Sequence, residues 1–163
     1  MPVFNCPEMK KKHPISKKDA ITRLMKQCSQ SEKSSFEIGS KLKTWGLQDS
    51  ADEIISFLQK EDFLNDARYV KAYIHDKLFI NKWGCIKVRY YLRKSGIQES
   101  IIENELKSID MQKYQKLISD ELTRKKHSLK KAPPFVLKSK LFAFGNQRGY
   151  ETEYIRDFIE NSN

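Results

Sequence analysis

The chain has 163 residues, 39% of them hydrophobic and 11% aromatic, enough apolar material for one ordinary domain and too much for a disordered segment. Thirty-one Lys and Arg against 21 Asp and Glu give a formal charge of +10, which suits an anionic partner such as nucleic acid or the acidic face of another protein. Three scattered cysteines exclude a CxxC metal clamp and a disulfide framework, and no apolar run is long enough for a membrane-spanning helix, so a soluble cytoplasmic protein with reduced thiols is expected.

Residues 1–16 join Pro2, Pro7 and Pro14 to Lys10, Lys11 and Lys12, a composition that buries no core, and are expected to be a flexible basic tail. From Ser16 or Lys17 a helix carries Ala20, Ile21, Leu24, Met25 and Cys28 on one face, and the polar run 28–35 reads as a connection. A second helix with Phe36, Ile38 and Leu42 stops at Gly46. A third, with Ala51, Ile54, Ile55 and Leu58, is entered through Asp49 or Ser50 as cap, and Phe63 closes the segment.

The stretch 63–97 is the densest in basic and aromatic residues. Asn65 and Asp66 can accept from the free N–H groups of a first helical turn, after which Val70, Tyr73, Ile74 and Leu78 follow at helical spacing. Asn81 and Gly84 form a turn. Cys85, Val88 and Leu92 then make one helical face, with Lys87, Arg89, Arg93 and Lys94 spread around the rest, and Gly96 ends that helix as a left-handed C-terminal residue. From Glu99 or Ser100, Ile101, Ile102, Leu106 and Ile109 form a short third helix.

After Asp110, Tyr114, Leu117, Ile118 and Leu122 define a further helix, followed by a basic connection from Arg124 to Lys131. Pro133 and Pro134 open the next helix, since proline is tolerated in a first turn. Gly145 stands where the earlier copies have Leu42 and Leu92, so Phe142 or Phe144 must fill the core there. Tyr154, Ile155, Phe158 and Ile159 make the last helix. In each copy an apolar residue follows the closing glycine: Leu47 after Gly46, Ile97 after Gly96 and Tyr150 after Gly149.

Three degenerate helical triplets at a period near 50 predict an all-α fold of three tandem three-helix repeats, spanning 17–63, 64–109 and 110–163. The first is electrically neutral, whereas the other two carry an excess of +4 each, nine basic against five acidic and 11 against seven. A functional basic surface should therefore lie on repeats 2 and 3. Phosphate loops, GxGxxG, HExxH and GxSxG are missing, and His13, His75 and His127 are scattered, so no catalytic residue, metal or cofactor is expected.

At this point the chain resembles the RecX family, regulators of the RecA recombinase. The resemblance rests on Phe63, Leu64, Asn65, Asp66, Ala67, Arg68, Tyr69 and Val70, then on Gly84, Lys87, Val88, Leu92, Gly96 and Ile97, and finally on Arg148, Gly149 and Tyr150. Cys85 stands where the family often has proline, and Tyr91 where it often has glutamate. The resemblance implies an elongated, curved, right-handed-type helical stack lying in the groove of a RecA–DNA filament and restraining ATP hydrolysis, strand exchange and coprotease activity. It implies the RecA filament as partner, weak contact with single- or double-stranded DNA alone, no membrane partner and a monomer.

Arg68, Lys71, Lys82, Lys87, Arg89, Arg93, Lys94, Lys138, Lys140 and Arg148 would then line the binding face, meeting RecA's acidic groove or DNA phosphates, with Lys87 and Arg93 matching basic family positions. Phe63, Leu64, Asp66, Tyr69, Gly84, Leu92, Gly96 and Gly149 would be structural. Tyr69, Tyr73, Trp83, Tyr90 and Tyr91 interleave with the basic set, a pattern that suits stacking on unpaired bases, although Tyr69 and Tyr73 fit the core better. A stand-alone helical DNA-binding protein is the main alternative, and a helical-repeat scaffold for another acidic protein a third reading.

Overall fold

A computed structural model describes residues 15–161. Most of the expected tail lies outside the described residues. Among the described residues every regular element is helical: α1 (Lys17–Gln30), α2 (Ser35–Thr44), α3 (Ala51–Lys60), α4 (Asp66–His75), α5 (Cys85–Lys94), α6 (Glu99–Lys107), α7 (Met111–Ser128), α8 (Pro134–Arg148) and α9 (Thr152–Asn161). The repeated helical triplet is present three times.

Local chemistry sets most of the starts. Ser16 caps α1 by accepting from the Asp19 N–H, and Ser34 and Glu37 form a reciprocal capping box on α2. Asn65 caps α4 by accepting from Arg68 N, and Asp110 caps α7 by accepting from Lys113 N. Pro134 occupies the first turn of α8.

Several boundaries differ from the sequence reading. Cys28 to Gln30 belong to α1, because Cys28 continues its buried face. Asp49 and Ser50 do not cap α3; a 3₁₀ turn over Gln48–Ser50 runs into that helix and supplies its first carbonyls. Asp66 is the first residue of α4 rather than its cap, and its carboxylate accepts from the Ser35 N–H at 2.7 Å, tying repeat 2 to repeat 1. Arg124 to Ser128 are the last helical residues of α7 rather than a connection, and Lys125 lies over the Phe144 ring of α8 at 5.6 Å. After α4 the chain widens into a π-helical turn, Asp76–Ile80, with Asn81 N donating to Asp76 O, and the left-handed residue of the following turn is Lys82 at φ 59°. Gly84 itself has φ −89°.

The buried residues form two clusters. One runs from Ala20 through Leu24, Ile38, Leu42 and Leu58 to Leu64; the other joins repeats 2 and 3, from Val70 through Leu92 and Tyr114 to Ile159. Each fully buried aliphatic side chain contributes roughly 1.5–3 kcal/mol. Repeat 1 meets repeat 2 across a mainly polar seam instead. Phe36 is not on the core face of α2; it is 53% exposed and lies over Gly96, where an added Cβ would come within 2.7 Å of its ring. The space beside Gly145 is taken by Ile155 of α9, whose Cδ1 would lie 2.5 Å from a Cβ at 145, while Phe142 and Phe144 pack half-buried at the cluster's edge.

Candidate nucleoprotein interface

Repeats 2 and 3 are joined backbone to backbone. Gly84 N donates to Arg148 O at 2.8 Å and Ile86 N to Gly149 O at 3.2 Å, so the turn before α5 lies directly on the turn after α8. A Cβ at Gly84 would stand 1.9 Å from the Gly149 carbonyl oxygen, and one at Gly149, whose φ is +80°, would stand 2.3 Å from Lys87 Cβ. Both positions therefore need glycine, the first for close approach and the second also for conformation. Tyr150 Oη donates to Lys82 O at 3.0 Å and Arg148 Nη1 to Asn81 O at 3.1 Å, closing the seam. Tyr114, fully buried, accepts from Cys85 N at 2.8 Å and donates to Glu151 at 2.8 Å. Burial pushes the Tyr114 and Tyr150 hydroxyls up and takes the Cys85 thiol to about 12. These are structural groups, held neutral.

The arginines expected on the binding face have internal partners. Arg68 spans the seam between repeats 1 and 2, its Nε 2.6 Å from Glu32, its Nη1 2.9 Å from Asp62 and its Nη2 on the Asp62 carbonyl, and the Glu32 hydrogen bond raises its pKa. Arg89 holds Glu103 of α6 at 2.6 Å. Arg93 engages both carboxylate oxygens of Glu99, with Nε at 2.6 Å, raising its own pKa and holding the Glu99 carboxyl below the usual range. Arg148, besides Asn81 O, lies 5.3 Å from the Phe144 ring.

The lysines are different. Lys71, Lys94, Lys138 and Lys140 are exposed and form no ion pair among the described residues. Lys82 donates to Phe79 O at 2.6 Å and Lys87 to Gln147 O at 3.3 Å, neither meeting a carboxylate. Lys87 Nζ also sits 4.6 Å from the Trp83 ring centroid. Lys77, which the sequence reading left out, sits 5.2 Å from both the Tyr73 and Trp83 rings; its place one helical turn after Tyr73 was the available signal. Trp83 packs against Tyr91 at 5.1 Å between centroids, and Tyr91 meets Tyr90 edge-on at 5.4 Å. Tyr69 and Tyr73, 5.9 Å apart, pack half-buried against the core, and burial raises both hydroxyls, Tyr69 to about 12.

A further basic surface was not legible before the fold was known. Between the π-helical turn and α7 lies a cleft of about 610 Å³ lined by Lys82, Lys113, Lys116 and Arg124, with Asp120 and Glu121 partly offsetting them. Among the described residues no helix is long and apolar enough to cross a membrane, and no group of three or more His, Cys, Asp or Glu could hold a metal ion.

Comparison with known proteins follows the same outline. The family profile described as RecX, second three-helix domain, matches residues 65–106. The regulatory protein RecX of Clostridium beijerinckii is 31% identical over 147 residues, covering 88% of this chain and 66% of that protein. That of Clostridium perfringens is 30% identical over 149 residues, covering 89% and 68%. The chain thus spans about two thirds of the length of these relatives. The crystal structure of RecX from Lactobacillus salivarius superposes with a TM-score of 0.76 at 19% identity, covering 88% of this chain and 97% of that one, a likeness of fold.

Proposed function

Because this chain belongs to the RecX family of regulatory proteins, we propose that it binds the RecA–DNA filament and lowers its ATPase, strand-exchange and coprotease activities in DNA repair and the SOS response. It would act by occupancy, with no chemistry of its own. The observation that carries the reading is the division of labour among its cations. Arg68, Arg89, Arg93 and Arg148 hold the repeats in place through internal carboxylates and carbonyls, while Lys71, Lys82, Lys87, Lys94, Lys138 and Lys140 meet no carboxylate among the described residues. An unpaired ammonium is a point charge that meets phosphate or carboxylate with little demand on geometry, which suits a long groove presenting both.

Lys71, Lys82, Lys87, Lys94, Lys138 and Lys140 are therefore proposed as the contacting set, and Arg68, Arg89, Arg93 and Arg148 as residues that position the helices carrying it. The test is the ATPase rate of the cognate RecA on single-stranded DNA with this protein titrated in, beside its binding to the same DNA alone. A falling rate at concentrations too low to coat bare DNA supports filament regulation. An unchanged rate, with strong and steeply salt-dependent binding to DNA alone, would make the protein a stand-alone DNA-binding module. In the same assay Lys71→Glu combined with Lys94→Glu should weaken inhibition by tenfold or more, at about 1 kcal/mol per lost contact plus repulsion, without loss of helicity.

A further inference from the structure

The aromatic residues beside these lysines invite a narrower assignment. Tyr90 is 60% exposed and Tyr91 37%, and Trp83 backs Tyr91 from below. Two ammonium groups, those of Lys77 and Lys87, flank Trp83, and neither is paired with a carboxylate. Helix α5 carries no acidic residue at all.

We propose that Tyr90, Tyr91 and Trp83 form a stacking surface for the unpaired bases of single-stranded nucleic acid, with Lys77 and Lys87 meeting its phosphates. Three features favour this partner over others. Exposed ring faces alternating with cations match what a flexible strand offers, a base and a phosphate in each nucleotide. A closed duplex keeps its bases stacked inside and gives such rings nothing to pair with. An acidic protein surface would be met best by arginine forks, yet Arg89 and Arg93 on the same helix are already committed to Glu103 and Glu99.

Trp83 and Tyr91 lie 5.1 Å apart between centroids at a tilt of 35°, and the exposed part of Tyr91, beside the more exposed Tyr90, is where a base has access. A base entering there would add to an existing stack. Lys87 also donates to Gln147 O across the seam, so the site is steadied by repeat 3 as well as by its own helix.

The proposal deepens the filament reading and takes from it the identity of the strand, but it is tested without RecA. In the 163-residue chain carrying Trp45→Phe, Trp83 is the remaining tryptophan and reports directly on the strip. Titration with a short oligothymidylate should quench its emission and saturate, and an abasic strand of the same length should bind about tenfold more weakly or worse. Tyr90→Ala with Tyr91→Ala should bring the oligothymidylate down to the abasic level, and Tyr91→Phe should keep most of the affinity. Equal binding of the two strands overturns the proposal, as does an alanine variant that remains helical and binds oligothymidylate like its parent. If that alanine variant nonetheless loses inhibition of the RecA ATPase, the strip faces a protein surface instead. Conversely, base-dependent quenching in a protein that leaves the RecA ATPase unchanged would keep the strip and remove the filament reading.

Discussion

Replacing Gly84 by alanine separates two reasons for a glycine at that position. Its φ of −89° is open to any residue, so conformation alone predicts a small effect, within about 1 kcal/mol for a helix-capping position. Packing predicts the opposite. The new Cβ would lie 1.9 Å from Gly149 O, 2.2 Å from Gly149 C and 2.4 Å from Tyr150 N, all of them backbone atoms that cannot swing aside. Ordinary contact begins at 3.4 Å, so the two turns must part by about 1.5 Å. That movement takes Gly84 N–Arg148 O and Ile86 N–Gly149 O, now 2.8 and 3.2 Å, out of hydrogen-bonding range. With the donor of buried Gly84 left unsatisfied at a cost of about 1–3 kcal/mol, and that of the more exposed Ile86 costing less, the expected loss is roughly 1–4 kcal/mol, a sizeable share of a typical folding free energy of about 5–15 kcal/mol. Urea unfolding followed by circular dichroism measures it. Because Tyr150 Oη to Lys82 O crosses the same seam, Tyr150→Phe should cost less in the Gly84→Ala background than in the parent. A loss below about 1 kcal/mol, or full additivity, would refute the close-approach argument.

Two further outcomes follow from the same junction. Tyr114→Phe strands the buried N–H of Cys85 and removes a donor from Glu151, at a cost of about 1–3 kcal/mol, which thermal melts should read as a fall of roughly 2–12 °C for a domain of this size. Stability should also decline on the alkaline side. The Cys85 thiol is held at about 12 in the folded chain against 9.0 for an ordinary thiol, so between those values the unfolded chain binds fewer protons and unfolding becomes easier as pH rises. Its contribution is intact below pH 9 and fades toward pH 12. Melts from pH 8 upward should show this slope in the parent and a shallower one in Cys85→Ala; parallel slopes would exclude the thiol as the cause.

The basic and aromatic side chains were all visible as letters, but their roles were not. Arg93 matched a basic motif position and read as a contact residue, yet Glu99, six residues on and in the next helix, was placed beside it by the turn at Gly96. Lys77 was overlooked because its meaning depends on Trp83 folding back across the π-helical turn. Glu32 and Asp62 lie 36 and six residues from Arg68 along the chain, and only the packing of repeat 1 on repeat 2 makes them one ion-pair cluster.

By itself the sequence determined the helical class, the tandem triplets and most of the buried face, because a 3.6-residue apolar period and short polar caps act within a few residues of one another. Ile38 and Leu42 before Gly46, and Val88 and Leu92 before Gly96, are buried as that periodicity requires. The tertiary structure alone decided why Gly84 is a glycine, which residue fills the space at Gly145, and which arginines are held by internal carboxylates. Those outcomes depend on backbone and carboxylates brought together from tens of residues away, and a periodic pattern carries no record of such distances.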